Sequence, residues 1–357
     1  MATLDLLRLA AALAVVCFHY LFRGEVATDG HDQAYPAVSG IAIYGYLGVN
    51  LFFLISGFVI AWSAEGRDFA RFALARFARL YPGFLICMTM TFAVLLVARD
   101  PDFPVSAVQF MANLFMFSPV LGQPFMDGVY WSIILEIIFY GWVAMALFFG
   151  VFERWKIGLL TAWLFICALN EYWLGSGALQ LVFVTDYGPL FVSGVLLHHM
   201  HAHGPTVEAR ALLAASFVMS TAMMTGGRDW MLEHYGHAVP LAGLIVSNIA
   251  IYAMLIGAIR LSDRVTATPA VLTMGGLTYP LYLLHQNAGY LAIDGIAPLI
   301  GSWVAFLVVT LLMLAVSWVI WRFVETPARK TIMRRLTPYA DLISQRFVQR
   351  GRPLPAQ

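Results

Sequence analysis

The sequence predicts an all-α fold, a polytopic membrane bundle of about ten transmembrane helices with both termini cytoplasmic. Three observations predict it. First, hydrophobic residues make up 61% of the 357 and charged residues only 11%, against roughly 45–50% and about 25% in soluble domains. Mean hydropathy is +0.78. A soluble domain has too little interior to hide that much apolar surface, so the surrounding solvent is lipid. Second, the apolar residues come in runs close to the roughly 20 that a helix needs to cross a bilayer. Third, Lys and Arg alternate between connections in the manner of an even number of spans. The same composition excludes a disordered chain. With 21 basic and 20 acidic residues, the net charge of +1 excludes a basic nucleic-acid binder.

The first span, residues 4–22, carries Asp5 and Arg8 near its start, lacks a small-x-small cleavage site and runs on to Arg23, so it is not a cleavable signal. The second, 42–64, contains Ser56 and Gly57, small residues suited to close helix packing. An arginine-rich connection precedes the third, 80–98. Residues 99–128 hold Pro101, Pro104, Pro119 and Pro124 around an apolar stretch and read as an outer lid or interfacial helix. Spans follow at 129–150, 156–172, 187–201, 209–225 and 240–259. The one at 187–201 is short and has room to begin earlier, near Ala178. The ninth, 270–293, contains Pro280, which removes a backbone bond and kinks the helix. The tenth is 301–323. Residues 1–328 therefore form one membrane domain, and 329–357 a basic, partly amphipathic cytoplasmic tail suited to the anionic inner leaflet.

Orientation follows from charge. The connections after odd-numbered spans hold only Arg23, Arg99 and Arg228, whereas those after even-numbered spans hold nine Lys or Arg and the C-terminal end eight more. The outer connections carry Glu25, Asp29, Asp32, Asp100, Asp102, Asp127, Glu171, Asp186, Asp229, Glu233 and Asp294. Cys17, Cys87 and Cys167 sit singly in apolar runs and read as small buried residues. His198, His199, His201 and His203 have no acidic or cysteine partner nearby in sequence, so no metal site is expected.

Ionisable groups inside spans are costly and point to function. Arg8 and His19 share the first span. Eleven residues at about 100° each fall about 20° beyond three turns, so the two lie on one helix face, ~16 Å apart. Glu136, in Trp131-Ser132-Ile133-Ile134-Leu135-Glu136, is placed by helical rise at a depth near His19, where a carboxylate can orient an imidazole. His285 follows Tyr282 beside the Pro280 kink, and these residues suggest a polar cavity wall. Arg76 and Arg79 are three apart and can face one ligand on a helix. Their planar forks suit phosphate, although a topology stripe also explains them.

Together these segments resemble the acyltransferase-3 family of integral membrane acyltransferases. Leu4-Asp5-Leu6-Leu7-Arg8 with His19 is similar to that family's Arg-x10-His signature, Gly48 to Phe58 to its second-span pattern, and Arg76-Phe77-Ala78-Arg79 to its Arg-x-x-Arg loop. Trp131-Ser132 with Glu136 is similar to its Trp-Ser-Leu-x-x-Glu element, with Ile133 in place of Leu. Tyr279 to His285 and Val324-Glu325-Thr326-Pro327 match as well. The resemblance spans residues 4–327 and implies a stand-alone inner-membrane enzyme without a C-terminal hydrolase-like domain.

It further implies transfer of an acyl group, most often acetyl, from cytoplasmic acyl-CoA (acetyl-CoA). The acceptor would be a hydroxyl of a surface glycan, a lipid-linked sugar or a small hydroxylated molecule. On that reading Arg8, Arg76 and Arg79 hold the donor, and His19 acts as general base or acyl carrier with Glu136 holding its tautomer. Trp131, Ser132, Tyr282 and His285 line the substrate cavity. No permanently bound cofactor is expected, and the oligomeric state stays open. The alternative is a transporter or flippase in which the same ionisable groups form a proton or substrate path. The lack of an internal repeat weakens it.

Overall fold

A computed structural model describes residues 1–24 and 34–350, the last five of these by backbone alone. Glu25, Asp29, Asp32 and Arg352 lie outside the described residues, as do the side chains of Arg346, Phe347 and Arg350. Among the described residues there is helix and no strand. The principal helices are α1 (Ala2–Phe18), α2 (Pro36–Ala42), α3 (Gly48–Ala64), α4 (Phe69–Ala98), α5 (Ala107–Asn113) and α6 (Trp131–Phe148). They continue as α7 (Lys156–Leu169), α8 (Gly177–Phe183), α9 (Gly188–His203), α10 (Val207–Tyr235), α11 (Leu241–Arg260), α12 (Pro269–Leu284), α13 (Asn287–Ile300), α14 (Ser302–Ile320) and α15 (Thr326–Arg350).

Nine helices among the described residues are long and apolar enough to cross a membrane. The sequence suggested ten. The difference lies at 270–293, where the chain forms two shorter helices, α12 and α13, separated at His285 and Gln286. Hydropathy cannot register a two-residue break inside an apolar run. Residues 99–128 contain the short α5 and a single 3₁₀ turn, held by Asn113, whose side chain bonds the carbonyls of Gln109 and Pro124 and the amide of Met126.

The outside of the bundle is apolar. On α14, Trp303, Val304, Leu307, Val308, Leu311 and Leu312 are exposed, while Ala305, Val309, Met313 and Ser317 face inward at four-residue spacing. With apolar residues on the outward face as well as the inward one, the helix departs from a soluble amphipathic helix and fits a lipid solvent.

α1 is central and packs on α12, α3 and α11; α3 also lies along α9. That last contact is set by glycines. A Cβ on Gly194 would sit 2.2 Å from the Leu54 carbonyl oxygen and 2.8 Å from Gly57 Cα. Backbone cannot yield as a side chain can, so Gly194→Ala is expected to cost about 3 kcal/mol or more. Gly40→Ala, which meets nothing within 4 Å among the described residues, should leave the melting temperature in detergent unchanged. Equal melts for the two variants would refute the close crossing.

α4 starts well before the predicted 80–98 because Asp68 caps it, accepting from the Arg71 amide at 2.9 Å. The basic segment after Arg329 forms part of α15, which lies along α4. Arg71 bonds Asp341 at 2.5 Å and Ser344 bonds Asp68 at 2.5 Å.

Candidate active site

α1 ends at Phe18 and widens into a π-type turn, His19–Arg23. Such turns re-aim side chains and cluster at functional sites. Here the turn begins at His19, whose Nδ1 lies 3.0 Å from the Val15 carbonyl and 2.9 Å from His285 Nε2. His19 lines a cavity of about 1200 Å³ together with Arg23, Tyr46, Trp131, Glu171, Asp186 and Trp230. This is larger than the usual range for a small ligand. Aromatic rings beside carboxylates suit a molecule with apolar faces and hydroxyl or cationic groups.

His285 stands in the gap between α12 and α13. Its Nδ1 lies 3.1 Å from the Leu281 carbonyl and 2.9 Å from that of Tyr282. Tyr20 donates its hydroxyl to the His285 carbonyl at 2.5 Å. The restart of the helix is capped from a distant segment: Asp127 accepts from the Asn287 amide at 3.1 Å and from the Val129 amide at 3.2 Å. Asn287 in turn donates to the Met126 carbonyl at 3.2 Å. The cap satisfies an amide that the interrupted ladder leaves open.

Burial pushes the Asp127 carboxyl up to about 7, against the lowering effect of the Asn287 and Val129 amides and the Arg23 charge. The sign follows from linkage. A carboxyl raised in the fold keeps its proton there while the unfolded chain has lost it, so stability falls as pH rises from about 4 toward 7. Asp127→Asn is expected to flatten that part of the profile, whose slope is at most about 1.4 kcal/mol per pH unit. Parallel thermal melts at pH 5 and 7 measure it, and equal slopes in both proteins would refute the assignment.

A second cavity of about 260 Å³ is lined by Arg8, Arg76, Arg79 and Arg329, with Ser56, Glu136, Tyr140 and Ser132. Arg79 is ion-paired with Glu325, which is 2% exposed and ends another π-type turn, Trp321–Glu325. The buried Nε of Arg76 has no hydrogen-bond partner among the described residues. Four guanidinium groups, one of them paired with Glu325, share this space with the Glu136 carboxylate, and guanidinium forks of this kind can bind an anion. Both cavities are lined by Val49 and Tyr282. Between them the Ser132 and Tyr282 hydroxyls bond each other at 2.7 Å.

The geometry sorts the residues singled out in the sequence. His19 and Trp131 face the larger cavity, Arg8, Arg76, Arg79, Ser132 and Glu136 the smaller, and Tyr282 both. Two expectations change. Glu136 does not hold His19: its Oε1 accepts from Ser56 at 2.7 Å and Tyr140 at 2.5 Å, both on the smaller cavity. Helical rise gave its depth, and depth does not say which neighbour a side chain meets. His285 lines neither cavity; it is fully buried behind His19. The sequence reading gave no site role to Arg329, Asp127 or Glu325, although Glu325 stood in the Val324-Glu325-Thr326-Pro327 motif. Arg329 lies four residues after Glu325, one turn along the same face, and that spacing was the available signal.

Residues 1–322 match the model of a protein family described as an acyltransferase domain. The chain is 26% identical over 313 residues to acyltransferase MdmB of Streptomyces mycarofaciens, covering 78% of this chain and 76% of that one. It is 23% identical over 377 residues to nodulation protein 10 of Rhizobium leguminosarum bv. viciae, covering 93% and 95%. It is 24% identical over 347 residues to O-acetyltransferase OatA of Staphylococcus aureus, covering 82% of this chain and 56% of that one. No solved structure matches. An all-α polytopic bundle with an arginine-lined cavity beside a histidine-lined one thus coincides with a family match over nearly its whole length, and the chain belongs to the acyltransferase-3 family, enzymes that transfer acyl groups.

Proposed function

We propose that the protein is an O-acyltransferase of the inner membrane that moves an acyl group, most often acetyl, from cytoplasmic acyl-CoA to a hydroxyl of a sugar-containing acceptor. The observation that carries this reading is the end-to-end pair of cavities meeting at Val49 and Tyr282. The arginine cavity faces the cytoplasm, as the excess of Lys and Arg in the even-numbered connections supports, and both termini lie on that side. The donor's phosphates sit among Arg8, Arg76, Arg79 and Arg329. The pantetheine arm displaces the Ser132–Tyr282 bond and brings the thioester toward His19.

The acceptor occupies the larger cavity. His19 Nδ1 is engaged, which leaves Nε2 for the acceptor. Nε2 takes the hydroxyl proton, the oxygen attacks the thioester carbonyl, the C–S bond breaks, and the imidazolium returns the proton to the thiolate. The products are the ester and free CoA. A general-base step of this kind contributes typically 10²–10⁴-fold. A relative named as an O-acetyltransferase supports both acetyl and a hydroxyl acceptor.

The test uses purified protein in nanodiscs with isotope-labelled acetyl-CoA and a hydroxylated sugar acceptor, followed by mass spectrometry. Labelled ester with stoichiometric free CoA is the expected result. Movement of an unmodified substrate into vesicles, without CoA release, would replace the enzyme reading with transport.

A further inference from the structure

We infer that His285 is a positioning residue for acyl transfer: it is the hydrogen-bond acceptor that holds the His19 proton on Nδ1 and so leaves the lone pair on Nε2 for the acceptor. The inference rests on His19 acting as the base, and it assigns to His285 the role that a carboxylate plays in other histidine sites.

Carbonyl oxygens only accept hydrogen bonds. His285 Nδ1 lies within 3.1 Å of two of them, on Leu281 and Tyr282, so that nitrogen carries the proton. A neutral imidazole has one ring proton, so His285 Nε2 is a bare acceptor. It faces His19 Nδ1 at 2.9 Å. The same Nδ1 faces the Val15 carbonyl at 3.0 Å. Two acceptors around one nitrogen fix His19 as the Nδ1–H tautomer. The opposite tautomer would set its Nδ1 lone pair against both His285 Nε2 and a carbonyl.

The Val15 carbonyl is already shared with the His19 backbone amide, so His285 is the acceptor free to respond during the reaction. When His19 takes a proton at Nε2, its Nδ1–H becomes a cationic donor and the bond to His285 strengthens. The direction of the chain originates in the last turn of α12, just before the helix break, where the Leu281 and Tyr282 carbonyls, four and three residues back, meet the His285 ring. Tyr20 and Asp127 hold that break from outside the helix. A neutral partner also avoids a second buried charge next to His19 and leaves Glu136 to the arginine cavity.

The test compares His285→Leu, which has no acceptor, with His285→Gln, whose amide oxygen reaches the position of Nε2. Removing an outer-shell partner typically costs about 10–100-fold, so Leu is expected to lose that much kcat with KM for acetyl-CoA unchanged. Gln should recover most of the loss. Nitrogen-15 solid-state NMR of the full chain in bilayers, without substrate, reads the protons directly. The expected spectrum has both Nδ1 atoms protonated, both Nε2 atoms unprotonated, and a through-space cross-peak between His19 Nδ1 and His285 Nε2. A protonated His285 Nε2, a missing cross-peak, or full kcat in His285→Leu overturns the inference. These results separate it from the reading beneath it: His19→Ala with normal turnover would remove the base while the spectrum stands.

Discussion

Replacing His19 by alanine is expected to lower acyl transfer by about 10²–10⁴-fold while leaving acetyl-CoA binding unchanged. The two halves of this result have separate structural causes. Proton abstraction needs the imidazole at the larger cavity, where His19 stands at the start of the π-type turn. On the proposed reading donor binding needs the arginines of the smaller cavity, of which Arg8 lies ~16 Å from His19 by helical rise. The fold should tolerate the change, because the Val15 carbonyl keeps its helical partner and His285 keeps both of its own carbonyl bonds. The double variant His19→Ala/His285→Leu should be little worse than His19→Ala alone, since residues that act as one unit are strongly non-additive. Turnover and CoA binding measured on the same nanodisc preparation decide it. Near-normal turnover in His19→Ala would place the base elsewhere.

Arg76→Ala and Arg79→Ala are expected to differ, although the two residues look equivalent in sequence. Arg76 has a buried Nε without a partner among the described residues, and on the proposed reading it bonds the donor. Its loss should weaken acetyl-CoA binding by about 1.5–3 kcal/mol, the worth of a charge-assisted contact, with little change in melting temperature. Arg79 is ion-paired to Glu325, which is buried. Removing Arg79 leaves the buried Glu325 charge uncompensated, and because Arg79 itself is partly exposed the cost is at most about 3–5 kcal/mol, that of a fully buried pair. Arg79→Ala should therefore lose both binding and stability. Adding Glu325→Gln should restore the melt without restoring binding. Calorimetric titration with CoA and a thermal melt of each of the three variants give the six values. Equal melts for Arg76→Ala and Arg79→Ala would refute the distinction.

Much of this was legible from composition and spacing, for a physical reason. Lipid forces every span to be apolar and helical, so fold class and most span positions can be read from hydropathy without tertiary information. The same penalty makes each ionisable residue within a span conspicuous, which is how Arg8, His19, Glu136 and His285 stand out in the sequence, whereas Arg76 and Arg79, in the connection before the third span, stand out by their spacing of three. Helical periodicity also placed Arg8 and His19 on one face of the first span about three turns apart, and the two line different cavities.

What the sequence could not determine was partnership. Hydropathy reports on the run and not on the backbone within it, so the break at His285 and Gln286 and the π-type turns at His19–Arg23 and Trp321–Glu325 left no trace in the pattern. These irregular turns decide where the functional side chains point. They turn His19 toward His285 rather than Glu136, and they bring Glu325 to Arg79. Arg329 reaches the arginine cavity only because α15 folds back along α4, a contact between residues more than 250 positions apart. By itself the sequence determined which residues bear the cost of polarity in lipid. Only the tertiary structure decided which of them share that cost, because a hydrogen bond depends on the meeting of two helices and periodicity describes one.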